Sequence, residues 1–121
     1  MQRIFLKAKI HRARVTAICL DYEGSLSIDQ SLMDRADIAP HEQVGVYNLS
    51  NGERFDTYAI AAPAGSGEIN LNGAAARKGQ PGDLIIITTY ALFDEEELAH
   101  HQPRGILVDE SNGLRPSGSN D

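Results

Sequence analysis

Short segments of alternating or continuous apolar residues, separated by turn residues, run along most of this chain. Over residues 3–10 every second side chain is apolar, namely Ile4, Leu6, Ala8 and Ile10. This two-residue period predicts a strand with one buried face. Further strands are predicted over residues 14–20, 43–49, 54–61, 68–71, 84–90 and 104–109. Many short strands at close spacing favour a small, mostly β barrel, formed by one domain over residues 1–121.

Turn and helix signals separate these strands. Short helices are predicted over residues 29–37, 74–78 and 94–101. Asp29 is suited to cap the first of them. The pair Asn51-Gly52 favours a tight hairpin turn between the two strands that flank it. From Glu110 onward small and polar residues predominate, which predicts a frayed tail.

Composition and charge exclude several classes of protein. The chain has 121 residues with a formal net charge of −6 and no long basic stripe, which argues against a nucleic-acid partner. The longest apolar run, residues 84–93, is too short to span a bilayer, and the first residues lack the apolar core of a secretory signal. We therefore expect a cytoplasmic protein without a membrane partner. The single cysteine, Cys19, lies in an apolar run and is expected to be a buried, inert thiol.

Basic residues are concentrated at the start of the chain. Residues 1–14 contain no acid and carry Arg3, Lys7, Lys9, His11, Arg12 and Arg14. Such a segment in an acidic protein suits a small anionic ligand, and a solvated strand face explains it nearly as well. Lys9 and His11 are two residues apart, so they share one face of the first predicted strand.

The pair Gly24-Ser25 carries the most distinctive chemistry of the chain. Glycine allows a strained turn after a strand, and a serine hydroxyl placed there can attack the carbonyl that precedes it. Attack would convert the peptide bond to an ester and open a route to a covalent cofactor made from the chain. Taken alone, the pair is a weak signal, since most Gly-Ser pairs are solvent-exposed turns.

Polar residues in two later segments could contribute to a site. Arg54 and Tyr58 are four residues apart on one predicted strand and share a face, while Thr57 points to the other. As alternatives, Arg54 could be a solvated cross-strand partner and Tyr58 an aromatic at the edge of the core. The segment 72–75, Asn-Gly-Ala-Ala, offers small side chains and free backbone N–H groups, or forms only a turn. The adjacent histidines at 100–101 lack the second cluster that a metal site needs.

The ordered set of these segments resembles the aspartate 1-decarboxylases, a family of small pyruvoyl-dependent enzymes of pantothenate synthesis. The resemblance covers roughly residues 3–90, and the sequence after about residue 91 diverges. The matching pieces are Lys9-Ile10-His11-Arg12, Val15-Thr16, Tyr22-Glu23-Gly24-Ser25, Ile28-Asp29, Asn51-Gly52-Glu53-Arg54-Phe55, Thr57-Tyr58-Ala59-Ile60, Asn72-Gly73-Ala74-Ala75-Ala76 and Gly82-Asp83.

The resemblance implies a double-psi β-barrel and a homotetramer with active sites between subunits. It implies self-cleavage between Gly24 and Ser25 into chains 1–24 and 25–121. Ser25 would become a pyruvoyl group, without a metal, that forms a Schiff base with L-aspartate and releases carbon dioxide and β-alanine. Whether a maturation factor assists the cleavage stays open.

The resemblance also implies roles for individual residues. Tyr58 matches the proton donor, and Thr57 the group that polarises the Gly24 carbonyl during cleavage. Arg54 is suited to hold a substrate carboxylate through two hydrogen bonds, and Lys9 adds a second positive charge.

The remaining matched residues have supporting positions. The backbone of Gly73, Ala74 and Ala75 matches a segment that contacts the substrate. Asn72 is expected to form a hydrogen bond near the pyruvoyl group, and His11 and Tyr22 are placed near the site without an assigned role.

Three other functions are compatible with the same residues. The protein could be a barrel that never cleaves itself and serves as a binding module. It could be an autoproteolytic hydrolase whose nucleophile is a new N-terminal Ser25. It could also be a pyruvoyl-dependent decarboxylase of a different amino acid.

Overall fold

In the computed structural model, which describes residues 1–116, most of the ordered backbone lies in β-strands. The strands are β1 (Arg3–Arg14), β2 (Ala17–Cys19), β3 (Ser25–Asp29), β4 (Gln43–Asn48), β5 (Arg54–Ala62), β6 (Ile69–Asn72), β7 (Leu84–Phe93) and β8 (Arg104–Leu107). The helical elements are α1 (Gln30–Ala36), a 3₁₀ helix (Gly73–Lys78) and α2 (Glu95–Leu98). No helix within residues 1–116 is long and apolar enough to cross a membrane.

The strands form one sheet in the order β2-β6-β3-β5-β4-β7-β1-β8. Pairing is parallel between β3 and β5, between β2 and β6, and between β1 and β8, and it is antiparallel between the other neighbours. The predicted mostly β fold with a few short helices is confirmed, and the strand order is consistent with the predicted double-psi β-barrel. The core lies on the inner face, where the largest fully buried side chains include Ile10, Leu26 and Ile87.

Strand β1 is longer than predicted because a bulge keeps it paired beyond residue 10. Its register with β7 shifts between Ile10 and Ala13, and Arg12 takes a left-handed φ of 62°. The extra residue lets Ala13 follow Ile10 into the core. The predicted burial of Ile4 is wrong, since its side chain is 71% exposed. Ile4 pairs with the exposed Leu92 at the end of the β1–β7 ladder, which extends beyond the core.

The predicted hairpin and helix cap are confirmed in the middle of the chain, but the hairpin turn is longer than predicted. Strands β4 and β5 pair antiparallel, yet residues 49–53 connect them, and of Asn51 and Gly52 only Gly52 has a positive φ, of 81°. Asp29 caps α1 by accepting a hydrogen bond from the backbone N–H of Ser31. The predicted acidic helix near residue 95 is shorter than expected and ends at Leu98.

Strand β3 was not predicted, although it lies near the centre of the sheet order. All five of its residues are buried, between β6 on one side and β5 on the other. In the sequence, Ser25, Ser27 and Asp29 alternate with two apolar residues. Three polar side chains in five residues are typical of an exposed turn. The strand is buried on both faces because other segments of the chain satisfy those polar side chains.

The predicted burial of Cys19 is wrong. Cys19 is exposed in β2, where all three residues of the strand are exposed. This strand lies at the edge of the sheet and pairs only with β6, so its apolar residues do not reach the core. The neighbouring Leu20 is likewise 56% exposed.

The predicted frayed tail is wrong for residues 110–116. Asn112 is buried, and its amide Nδ2 donates to the carbonyl oxygens of Arg14 and Gly67, each at 2.8 Å. Its Oδ1 accepts from the backbone N–H of Arg14, also at 2.8 Å. These bonds fix the end of the described chain against β1. The rest of the predicted tail, residues 117–121, lies outside the described residues.

A buried carboxylate joins β3 to the loop that precedes β6. Asp29 accepts hydrogen bonds from the backbone N–H groups of Ser31 (2.8 Å), Gly65 (3.0 Å) and Gly67 (2.9 Å). Burial raises the pKa of Asp29, but the bonds from Gly67, Gly65 and Ser31 outweigh it and hold the pKa below the ordinary value of 3.8. The ionised form of Asp29 is therefore favoured over the protonated form more strongly in the folded chain than in the unfolded chain.

We expect Asp29→Asn to lower the free energy of unfolding by about 1–3 kcal/mol at pH 7, because an amide cannot replace the charge-assisted bonds of the carboxylate. Since the folded pKa is depressed, this contribution is present above the unfolded pKa and disappears as pH falls through the folded pKa. Urea unfolding at fixed protein concentration, from pH 7 downward, measures it. Glu96→Gln, which removes an exposed carboxylate of α2, is the control. Equal stability of the Asp29→Asn and Glu96→Gln variants at pH 7 would contradict the assignment.

Candidate active site

The Gly24–Ser25 bond lies where the chain enters the buried strand β3. Ser25 is 1% exposed, and its Oγ donates a hydrogen bond to the carbonyl oxygen of Glu23 at 3.1 Å. The amide Nδ2 of Asn72 donates to the Ser25 Oγ at 3.0 Å and to the Ser27 Oγ at 2.9 Å. The hydroxyl is therefore held on both sides, and the pair is not a solvent-exposed turn.

Asn72 reaches Ser25 because β6 and β3 pair antiparallel with these two residues directly opposite each other. The next residue, Gly73, turns the chain into the 3₁₀ helix with a left-handed φ of 62°. A Cβ at Gly73 would lie 2.6 Å from the Gly24 nitrogen and 2.7 Å from both the Gly24 Cα and the Tyr22 carbonyl oxygen. Only glycine permits this approach of backbone to backbone.

A cavity of about 200 Å³ opens beside Gly24. Its lining residues are Gly24, Phe55, Asp56, Thr57, Ala74, Ala75 and Lys78. Four of these were candidate site residues from the sequence, whereas Phe55, Asp56 and Lys78 were not. Phe55 belongs to a matched segment and Asp56 lies between two matched segments, which is the sequence signal that points to them.

The register of β3 with β5 places further candidates next to the cleavable bond. Leu26 pairs with Ala59 in parallel, so one step back along both strands brings Ser25 level with Tyr58. Gly24 and Thr57, the residues before these two, line the same cavity. The Tyr58 side chain is half-buried, and its ring centroid lies 5.9 Å from that of His41.

The cationic candidates lie on a different face of the sheet. Within β5, Arg54 and Tyr58 pair with Tyr47 and Gln43 of β4, while Thr57 pairs with the buried Val44 and points inward. Arg54 is exposed and does not line the cavity at Gly24.

Lys9, His11 and the Tyr22 side chain are also outside this cavity. Lys9 pairs with Thr88 of β7, and two strands, β4 and β7, lie between its strand and that of Arg54. His11 lines a separate cavity of about 350 Å³ together with Arg12, Arg14 and Arg115. The Tyr22 backbone contacts the site at Gly73, but its side chain is 54% exposed.

The arrangement brings together a buried hydroxyl, a cleavable bond and a small cavity. A fixed amide donor and a carbonyl acceptor orient the Ser25 hydroxyl, which is the geometry a serine needs to react at one position. Among residues 1–116 no three His, Cys, Asp or Glu side chains are grouped to hold a metal ion.

Comparison with known proteins identifies the family. Residues 1–115 match the family model described as aspartate decarboxylase. The chain is 66% identical over 112 residues to a protein of Syntrophobacter fumaroxidans named aspartate 1-decarboxylase, covering 93% of this chain and 90% of that one. It is 55% identical over 115 residues to the aspartate 1-decarboxylase of Cupriavidus necator, covering 95% of this chain and 96% of that one. The chain belongs to the aspartate decarboxylase family.

Proposed function

We propose that this protein is a self-processing, pyruvoyl-dependent aspartate 1-decarboxylase. It converts L-aspartate to β-alanine and carbon dioxide in the cytoplasm, as a step toward pantothenate and coenzyme A. The family assignment supports the decarboxylation. The observation that carries the self-processing is the buried Ser25 hydroxyl, held between Asn72 and Glu23 at the Gly24–Ser25 bond.

Self-processing begins when the Ser25 Oγ attacks the carbonyl carbon of Gly24. The hydroxyl proton points at the Glu23 carbonyl, and the Asn72 amide fixes the oxygen. As the new C–O bond forms, the C–N bond breaks and leaves an ester with a free amine on residue 25. Thr57, which lines the same cavity as Gly24, would polarise the Gly24 carbonyl.

The ester then resolves into two chains. Loss of the Cα proton of residue 25 expels Gly24 as a carboxylate and leaves dehydroalanine. One water molecule hydrolyses the resulting enamine, and ammonia leaves. The products are a chain of residues 1–24 and a chain of residues 25–121 that starts with a pyruvoyl group.

The residues around position 25 fit such a group. Asn72 supplies a hydrogen-bond donor to an oxygen at this position, and the small side chains of Ala74 and Ala75 leave room beside it. A pyruvoyl group supplies an electrophilic carbonyl and an electron sink for an amino acid. The backbone of residues 73–75 lines the space where the substrate would lie.

Cationic side chains then bind the substrate, and a tyrosine hydroxyl protonates it. Arg54 binds a carboxylate of L-aspartate through two parallel hydrogen bonds, and Lys9 adds positive charge. Tyr58, whose backbone is next to Ser25 in the register, donates the proton that replaces the lost carboxyl group. His11 and Tyr22, whose side chains lie outside the cavity at Gly24 in one copy of the chain, keep no assigned role.

A second copy of the chain completes the site. Arg54 and Lys9 lie outside the cavity at Gly24, so cations from a neighbouring subunit would close it. The sheet face that carries Arg54 also exposes Ile4 (71%), Tyr90 (47%) and Leu92 (56%), an apolar surface suited to contact between subunits. A homotetramer with active sites between subunits accounts for both features.

We expect the purified protein to give two masses under denaturing conditions, for residues 1–24 and 25–121, with the larger chain lighter by one ammonia than a chain that starts with serine. Ser25→Ala should give a single inactive chain, because it lacks the attacking oxygen. Intact-mass spectrometry and an assay of β-alanine measure both. Two chains without the loss of ammonia would indicate an N-terminal serine hydrolase, and normal decarboxylation by Ser25→Ala would refute the proposal.

Gly73→Ala should slow self-cleavage by about 100-fold, because the new Cβ would displace the Gly24 backbone, and a shift of about 1 Å is enough for such a loss. Cleavage is followed by mass spectrometry after synthesis of the uncut chain. Gly52→Ala is the matched control, since Gly52 has a similar φ of 81° but no neighbouring atom within 4 Å. Equal cleavage rates for the Gly73→Ala and Gly52→Ala variants would show that the close approach does not matter.

Arg54→Lys should raise the KM for L-aspartate by about tenfold while cleavage proceeds, because lysine keeps the charge but loses the second hydrogen bond. Steady-state kinetics on the processed enzyme measure this, with Arg77→Lys, an exposed arginine of the 3₁₀ helix, as the control. An uncleaved Arg54→Lys chain would mean that Arg54 has a structural role, and an unchanged KM would mean that it does not bind the substrate.

A further inference from the structure

The guanidinium group of Arg54 lies on an aromatic ring of the neighbouring strand. Its Cζ is 3.8 Å from the centroid of the Tyr47 ring, and the two residues are directly opposite each other in the β4–β5 ladder. Stacking on a ring face restricts the plane of the guanidinium and leaves its N–H edges free for a ligand. Neither of the two ion pairs found within residues 1–116 involves Arg54.

The Tyr47 ring is itself fixed by a residue of the next strand. The hydroxyl groups of Tyr47 and Tyr90 form a hydrogen bond of 3.1 Å between β4 and β7. This bond is the largest cause that raises the pKa of Tyr90 above its ordinary value of 10.0, followed by burial. The Tyr90 phenol therefore keeps its proton near pH 7 and is available for the hydrogen bond with Tyr47.

A glycine provides the space for this arrangement. A Cβ at Gly45 would lie 2.8 Å from the Thr88 Oγ1, 2.9 Å from the Tyr47 hydroxyl oxygen and 3.2 Å from the Tyr47 Cζ. The end of the Tyr47 ring therefore lies over the backbone of β4 itself. Three adjacent strands, β5, β4 and β7, contribute in turn the arginine, the ring and the hydroxyl that fixes the ring.

We propose that Tyr47 and Tyr90 are positioning residues that orient the Arg54 guanidinium for the substrate carboxylate: the Tyr47 ring sets its plane, and the Tyr90 hydroxyl sets the ring. The inference rests on the proposed function, in which Arg54 binds L-aspartate. Neither tyrosine touches the reacting atoms, so each acts on substrate binding only through Arg54.

A merely structural role would have different consequences. If the two tyrosines only packed against a neighbouring subunit, their hydroxyl groups would affect melting temperature or assembly. Through Arg54, they change the KM for L-aspartate and leave kcat and self-cleavage unaltered. Because both hydroxyl groups belong to one hydrogen bond, removing the second after the first adds nothing.

The test compares five processed enzymes: the unmodified protein, Tyr90→Phe, Tyr47→Phe, the double variant, and Tyr90→Phe combined with Arg54→Lys. Each is checked for cleavage by intact mass, for assembly by light scattering and for melting temperature. KM and kcat for L-aspartate are then measured at one pH. Tyr47→Leu, which removes the ring as well as the hydroxyl, is measured in parallel.

We expect Tyr90→Phe to raise KM by about threefold to tenfold, the effect of losing one hydrogen bond, with kcat within about twofold. Tyr47→Phe and the double variant should match it, and Tyr47→Leu should exceed it because the stacked face is lost. In the Arg54→Lys background, Tyr90→Phe should add no further change.

Several results would overturn the inference. One is an unchanged KM in Tyr90→Phe, and another is additive effects of the two Phe substitutions on KM. A third is an equal effect of Tyr90→Phe on KM in the Arg54→Lys background, and a fourth is a change in KM accompanied by altered assembly. If the unmodified protein is cleaved but does not decarboxylate L-aspartate, the proposed function fails first. If it does decarboxylate L-aspartate and the variants do not behave as expected, only the positioning role fails.

Discussion

The contact of Gly73 with the backbone of Gly24 and Tyr22 is the constraint on which the rest of the site depends. It follows from the pairing of β6 with β3, which sets Asn72 opposite Ser25 and leaves the next residue no room for a side chain. The same pairing buries the Ser25 hydroxyl and gives it a fixed donor. Displacing this contact by a few tenths of an ångström would shift Gly24, so in the proposed self-cleavage the geometry at the Gly24–Ser25 bond would be set by sheet register.

The burial of β3 shows how stability and reactivity share one strand. A buried polar group without a partner costs about 1–3 kcal/mol, so a strand with three polar side chains needs partners from outside. The Asn72 amide donates hydrogen bonds to Ser25 and Ser27 at the start of β3. The backbone N–H groups of Gly65 and Gly67 donate to Asp29 at its end. The two anchors hold opposite ends of a five-residue strand. The reactive serine is thus carried by one of the best-fixed parts of the molecule, which suits a single, committed reaction within the chain.

The sequence predicted what depends on local chemistry and missed what depends on distant partners. The Asp29 cap and the pairing of β4 with β5 follow from short-range rules, and the structure confirms them, while the turn between the two strands is longer than predicted. Strand β3 was missed because its burial depends on Asn72, 47 residues after Ser25. The exposure of Cys19 depends on an edge position that only the sheet order reveals. At the site, ordered family motifs pointed to Asn72 and Gly73, while Tyr90 has no motif and is found only through its contact with Tyr47.

The division of the proposed site between two faces of the chain explains why Arg54 needs support from its own sheet. The Gly24–Ser25 bond lies beside a cavity that Arg54 does not line, so in the proposed tetramer the arginine and the reactive position would come from different subunits. A long side chain that crosses an interface loses conformational freedom when it binds, and this loss weakens the binding of a small substrate. Stacking on Tyr47, with the ring held by Tyr90, restricts the guanidinium before the substrate arrives. In the proposed enzyme, Ser25 and Arg54 would then both be ordered before the substrate binds, Ser25 by β-sheet register and Arg54 by an aromatic ring.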